Sequence, residues 1–205
     1  MSFYFGGIEM SKAEYRSSIR SKNLIKRALA KLLHEKDISK ITVTDVIGAA
    51  DISRGTFYAH FSDIYSVLDQ IENEELSALL DLVSALGEDA IIKNPRAFVS
   101  IICNYIGNDF EYYKMLILSN LVTNNFLERL SRIYNEKALE NIESMPYNIS
   151  RDEATAFLSF ICAGVISVFT DWLNGTLDMK PDEVANTISD LIISAQGFFH
   201  SKQEE

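Results

Sequence analysis

Within the run SRGTFYAHFSD, residues 53–63, four side chains have the chemistry to recognise a nucleic acid. The forked donors of Arg54 can bridge guanine O6 and N7, and the methyl of Thr56 can meet the methyl of a thymine. Tyr58 and His60 are donors suited to phosphate oxygens. On a helix capped by Ser53, Arg54–Tyr58 and Thr56–His60 are i,i+4 pairs sharing a polar surface. Phe57 and Phe61 form a further pair that can anchor the other face in a core. Gly55 costs about 1 kcal/mol relative to Ala inside a helix, which close approach to DNA or to the preceding helix would offset. The same spacing also suits the plain surface of a three-helix unit.

The elements around this run are those that would present it. Ser11-Lys-Ala-Glu14 is a capping box opening a first helix. In that helix Ile25, Ala28, Leu29, Leu32 and Leu33 recur at helical spacing and form a buried stripe. Arg16, Arg20, Arg27 and Lys31 lie on the opposite, basic front. Thr42-Val-Thr-Asp45 caps a short second helix with Val43, Val46 and Ile47 facing inward. That helix gives way near Ala50-Asp51-Ile52, and Ile52 and Phe57 flank the Ser53 cap as a hydrophobic staple. Two short helices joined by a tight turn after a longer amphipathic one make a helix-turn-helix.

Charge follows the same division. Residues 11–62 carry ten Lys/Arg against five Asp/Glu, a balance of +5, leaving −15 for the rest of a chain whose total is −10. A basic quarter joined to an acidic body reads as a polyanion-binding module attached to something else. With 47% hydrophobic and 23% charged residues, 205 residues can bury a real core. Cys103 and Cys162 lack CxxC spacing and read as small core residues of a reducing, cytoplasmic protein. Residues 1–9 lack the cationic start and apolar run of a secretory signal, and residues 1–10 are expected to be a disordered extension.

Enzyme classes find little support. His34, His60 and His200 are scattered, and no HExxH, Walker loop or dinucleotide fingerprint occurs. Paired carboxylates such as Glu74-Glu75 and Asp182-Glu183 are expected at helix surfaces or starts. No catalysis, metal or cofactor is expected. Residues 154–170 are 17 long and uncharged, at the lower limit of a membrane span. Their acidic flanks and lack of a Lys/Arg anchor favour a helix buried among others or in an oligomer interface, with no membrane partner.

Residues 16–68, and above all ITVTDVIGAADISRGTFYAHFSDIYSVL, resemble the N-terminal domain of the TetR family of transcriptional regulators. The resemblance implies that Thr42, Tyr58 and His60 meet the phosphate backbone and that Arg54, Gly55 and Thr56 lie at or near the bases. Thr44 and Ser53 complete the candidate DNA-binding set. Two positions depart from the family pattern. Asp51 stands at the turn position that is usually Gly, and Ile64 replaces a Lys usual three residues after the closing Phe. Asp51 enters the left-handed conformation less easily than Gly. Asp51 adds negative charge near DNA and Ile64 removes a likely phosphate contact at the start of the fourth helix, so both changes should weaken non-specific affinity.

The rest of the chain reads as helices: about 63–82, one started by Asn94-Pro95, stretches near 109–119 and 121–143, then 150–175 opened by Ser150-Arg-Asp-Glu153, and 181–199. In the last, Val184, Ile188, Leu191, Ile192, Ala195 and Phe199 form an apolar stripe. Tyr112-Tyr-Lys-Met and Gly164…Asp171-Trp172-Leu173 resemble a C-terminal type of Gram-positive regulators that includes coactivators of dihydroxyacetone-kinase operons. Phe98, Tyr105, Phe110, Tyr113, Met115 and Phe126 either line an effector pocket or form plain core. The expectation is therefore an all-α protein. Residues 11–61 form a three-helix helix-turn-helix DNA-binding domain, and residues 62–205 a helical effector-binding and dimerisation domain. The resemblance implies a homodimer through 150–175 and 181–199, a double-stranded palindromic operator, a small-molecule effector and repression. A coactivator or adaptor working through a protein partner is the other reading.

Overall fold

In the computed structural model, local capping chemistry decides where most helices begin. It describes residues 3–5, 8–10, 12–87, 90–117 and 150–201, together with 128–129, 131–133, 135–136 and 139–140. Two three-residue strands, β1 (Phe3–Phe5) and β2 (Ile8–Met10), pair antiparallel with Phe3 opposite Met10. This ribbon stands where the sequence suggests a disordered extension. All the other described regular elements are helical, so the class is all-α.

The chain divides into two compact units, residues 1–73 and 74–205. In the first, α1 (Lys12–Glu35) buries Ile25, Ala28, Leu29 and Leu33 and leaves Arg16, Arg20, Arg27 and Lys31 exposed. Its expected cap, Ser11, lies outside the described residues. A 3-10 turn (Ile38–Lys40), capped by Asp37, leads to α2 (Val43–Ala50) and then to α3 (Arg54–Tyr58). The fourth helix, α4 (Ile64–Leu86), starts where Asp63 accepts the Ser66 backbone N–H at 2.7 Å. Ile64, Val67, Leu68 and Ile71 of its first turns are buried, and the division falls inside this helix at 73/74 rather than at its start.

The second unit continues through α5 (Ala90–Lys93), α6 (Pro95–Gly107), α7 (Phe110–Ile117), α8 (Arg151–Leu173) and α9 (Pro181–Ser201). Asn94 caps α6 with Pro95 at its first position, and a complete Ser150–Glu153 capping box opens α8. The helix expected over 121–143 lies largely outside the described residues. Leu158, Leu173, Val184, Ile188 and Ile192 of α8 and α9 are almost wholly buried in one apolar cluster with α6. The connection between α8 and α9 is fixed by Trp172, whose indole N–H donates to the Met179 carbonyl at 2.8 Å. The apolar stripe expected on α9 differs at Leu191, which is 57% exposed, and the Phe199 side chain lies outside what is described. Cys103 and Cys162 are free thiols, pushed up to about 12 and about 11 by burial, and inert as nucleophiles at neutral pH.

Candidate nucleic-acid interface and effector cavity

Two capped helix starts and one left-handed turn position the candidate DNA-reading residues. Thr42 caps α2 by accepting the Asp45 N–H at 3.1 Å, and Asp45 accepts the Thr42 N–H in return at 2.8 Å. Lys36 adds an ion pair to the same carboxylate at 3.0 Å. The Thr42 amide, the Lys36 ammonium and the Thr42 hydroxyl together hold Asp45 down to about 2. At its other end α2 closes in a Schellman motif: Ile52 N–H donates to Ile47 O at 3.2 Å and Asp51 N–H to Gly48 O at 3.4 Å. Asp51 takes the left-handed position of that motif, with φ 51° and ψ 53°. It is the one non-glycine residue at positive φ among those described. The substitution for Gly thus keeps the turn and puts a side chain where glycine fits best.

Ser53 caps α3 by accepting the Thr56 N–H at 3.0 Å, and its hydroxyl shares a 2.8 Å bond with that of Thr56. The Arg54 guanidinium donates to Thr44 Oγ1 at 3.0 Å, so two candidate readers from different helices are joined across the turn. Phe57 is wholly buried and Phe61 nearly so, while Tyr58 is 51% exposed with its ring edge-on to Phe57 at 5.4 Å. The helix is shorter than its spacing suggests and ends at Tyr58. His60 donates its backbone N–H to Phe57 O, an i→i−3 bond that tightens the last turn, and so sits in the turn beyond the helix. A Cβ placed on Gly55 would meet only Ser53 Oγ, at 3.7 Å. Close packing on the preceding helix therefore does not explain this glycine.

His60 is half-buried, and its Nδ1 is enclosed without a hydrogen-bond partner among the described residues. Burial first, and the Lys22 charge second, lower its pKa below the ordinary 6.5. The neutral ring then leaves Nε2 as the nitrogen able to donate outward. Ile64, the second departure from the family pattern, is 6% exposed and packed inside its unit, so the position serves the core instead of a phosphate.

The second unit holds a partly open cavity of about 130 Å³. Phe98, Tyr105 and Tyr113 line it. Phe110 packs edge-on against Trp172 at 5.1 Å and is not among the lining residues. Met115 is also absent from the wall, because Tyr113, Leu116 and Ile117 form the inward face of α7 and Met115 falls beside it. Phe126 lies outside the described residues. Glu75, a residue the sequence places on a helix surface, is also among the lining residues, although the surface that faces the cavity is almost entirely apolar. Its carboxylate is half-buried and accepts from Tyr105 Oη at 2.7 Å, Tyr113 Oη at 2.9 Å and Tyr112 Oη at 3.5 Å. Burial, with the Glu75 carboxylate adding to it, pushes the Tyr105 phenol up to about 12 and raises Tyr113 as well. Both hydroxyls remain donors. The adjacent acidic pair Glu74-Glu75 carries no sign of this, since the tyrosine partners are 30 to 38 residues away.

Residues 25–71 match the family of bacterial regulatory proteins of tetR type, and residues 93–194 match a transcriptional regulator C-terminal region of the same family. The chain belongs to the TetR family. It is a transcription regulator with a helix-turn-helix DNA-binding domain on an all-helical fold. Among solved structures, the dihydroxyacetone kinase operon activator DhaS is 16% identical with a TM-score of 0.61, over 88% of this chain and 98% of that one. The fatty acid degradation regulator FadR from Bacillus halodurans is 17% identical with a TM-score of 0.64, over 84% and 94%. A TetR transcriptional regulator from Streptococcus agalactiae 2603V is 23% identical with a TM-score of 0.58, over 88% and 97%. At these identities the likeness is one of fold. No curated protein sequence matches the chain. TetR-family regulators are in general not enzymes, and among the described residues no cluster of His, Cys, Asp and Glu is placed to hold a metal. Among the described residues one helix, α8, is long and apolar enough to cross a membrane, and 28% of its most apolar stretch is buried within the chain.

Proposed function

We propose that this regulator is a cytoplasmic, ligand-responsive repressor that binds a palindromic operator as a homodimer. The observation that carries the reading is the Arg54–Thr44 bond beside an open Gly55 backbone. It holds a guanidinium ready at the start of α3, next to a stretch of main chain that a groove edge can approach. In this account Arg54, Gly55 and Thr56 face the bases. Thr56 offers its methyl, because its hydroxyl is engaged with Ser53. Thr42, Thr44, Ser53, Tyr58 and His60 meet the phosphates.

Dimerisation through α8 and α9 is supported by apolar side chains left uncovered on them. Phe160 is 70% exposed, Leu191 57% and Ile193 42%. Covering such a face with its own copy makes an isologous four-helix contact and answers the membrane-like composition of α8 without a membrane. A ligand in the 130 Å³ cavity that favoured one arrangement of the paired DNA-binding domains would shift operator affinity.

The test is Arg54→Ala and Tyr58→Ala in the full chain. Loss of a bidentate base contact is expected to weaken operator binding by about 10- to 100-fold and relax specificity at one base pair. Loss of a phosphate contact should weaken all sequences alike. Helix content should stay unchanged in both. A structural neighbour is called an activator, and an activator or adaptor working through a protein partner would keep its regulatory effect in both variants.

A further inference from the structure

We infer that the cavity of the second unit receives an uncharged, hydrocarbon-like ligand of about one-ring size, recognised by shape and apolar contact without a hydrogen bond. This rests on reading the chain as a ligand-responsive regulator and names the chemistry of what it senses. The surface offered to the cavity is almost entirely apolar, with Val83, Phe98, Ile102, Leu116, Val165 and Phe169 in its walls. The volume of about 130 Å³ lies close to that of an aliphatic-lined cavity of about 150 Å³ that stays dry and admits benzene. An apolar body of that size gains by leaving water for such walls.

The polar residues around the cavity are already engaged with the protein itself. Tyr105 and Tyr113 each donate their single hydroxyl proton to Glu75 Oε2, at 2.7 and 2.9 Å, and Tyr112 donates to Oε1 at 3.5 Å. Thr170 turns its hydroxyl to the Ile166 carbonyl at 2.9 Å. The Cys162 thiol donates to Asn135 Oδ1 at 3.4 Å, and Ser131 is a hydrogen-bond partner of the same thiol. Every polar side chain among the described lining residues therefore has a partner within the protein. A ligand hydroxyl entering here gives up water without gaining a partner, and an ammonium or carboxylate gives up far more. Selection thus works by rejection: apolar contact admits the body, and lost hydration turns away its polar congeners.

Toluene, benzyl alcohol, benzylamine and benzoate share one body and differ in the group it carries, so their ranking tests the assignment. Binding to the full chain is followed by calorimetry and by the rise in unfolding temperature. Toluene is expected to bind tightest, with a negative heat-capacity change. Benzyl alcohol should bind at least about tenfold weaker, and benzylamine and benzoate weaker still. Val83→Phe puts a ring into the cavity and should abolish toluene binding. Should that ring disturb the fold, Val83→Ala enlarges the cavity instead and should shift the preference from toluene to p-xylene. An amine or acid that binds as tightly as toluene, with its charged head at the open side, would overturn the inference. So would binding of none of these compounds, or toluene binding unmoved in both Val83 variants. Operator binding is measured on the same samples. Release of the operator by a charged congener but not by toluene refutes this inference alone. Toluene bound in the expected ranking with operator affinity unchanged refutes the ligand-responsive reading alone.

Discussion

Asp51 offers the sharpest quantitative test of how the reading head is built. The left-handed conformation costs an ordinary L-residue about 1–2 kcal/mol, with Asp at the tolerant end. Glycine removes that cost but loses more backbone freedom on folding. Asp51→Gly should therefore stabilise the α2–α3 turn by a net amount of about 0.5–1 kcal/mol, with both Schellman hydrogen bonds retained. Asp51→Asn keeps a side chain of the same shape that tolerates φ 51° and removes only the charge, so it should leave stability near the parent value. Amide hydrogen exchange of Val46 and Phe57, both wholly buried, reads the difference as about 2- to 5-fold slower exchange in the glycine variant. The charge acts separately. Unit charges ~8 Å apart in water interact by ~0.5 kcal/mol, so both variants should bind DNA about twofold tighter, and more so at low salt. A glycine variant no more stable than the parent, or an asparagine variant that gains as much as glycine, would refute the claim that left-handed strain is stored at this turn.

Three further outcomes follow from the same geometry. Gly55→Ala should stabilise α3 by up to about 1 kcal/mol in a denaturant titration and weaken operator binding, because its Cβ has room in the free chain but not against a groove edge. His60 should titrate below 6.5 by NMR. The unfolded chain then takes up the proton first, so stability is full above about 6.5 and declines as pH falls below it. His60→Gln should remove that slope, and a midpoint at or above 6.5 would contradict the burial argument. Asp45, held down to about 2, contributes stability that is complete above 3.8 and lost as pH falls through about 2. Asp45→Asn should therefore flatten the acid limb of an unfolding curve followed by circular dichroism.

The parts of the fold that were readable in the sequence are those decided within a few residues. Thr42 with Asp45, Ser150 with Glu153, and Asn94 with Pro95 satisfy orphan N–H groups locally, so spacing alone marks the helix starts. The inward stripe of α1 followed the same logic. The length of α3 did not: its end depends on the tightened bond from His60 N–H to Phe57 O, which no periodicity announces. Nor did the division of the chain, because the start of α4 reads as one continuous helix whichever unit its early turns join. Glu75 shows the limit most plainly. Its setting comes from tyrosines on α6 and α7, and in one dimension it is an acid beside another acid on a helix. Leu191 shows the reverse, an apolar residue in register with a buried stripe that is left at the surface of a single chain.

Reading of DNA by α3 and its caps is tested most directly by binding to the intergenic DNA upstream of the chain's own gene. Titrated across a salt series, two protomers should bind a palindromic site saturably. The logarithm of affinity should fall linearly and steeply with the logarithm of salt, as phosphate-bound counterions are released. Absence of any specific site at low salt, with the chain folded, would contradict it.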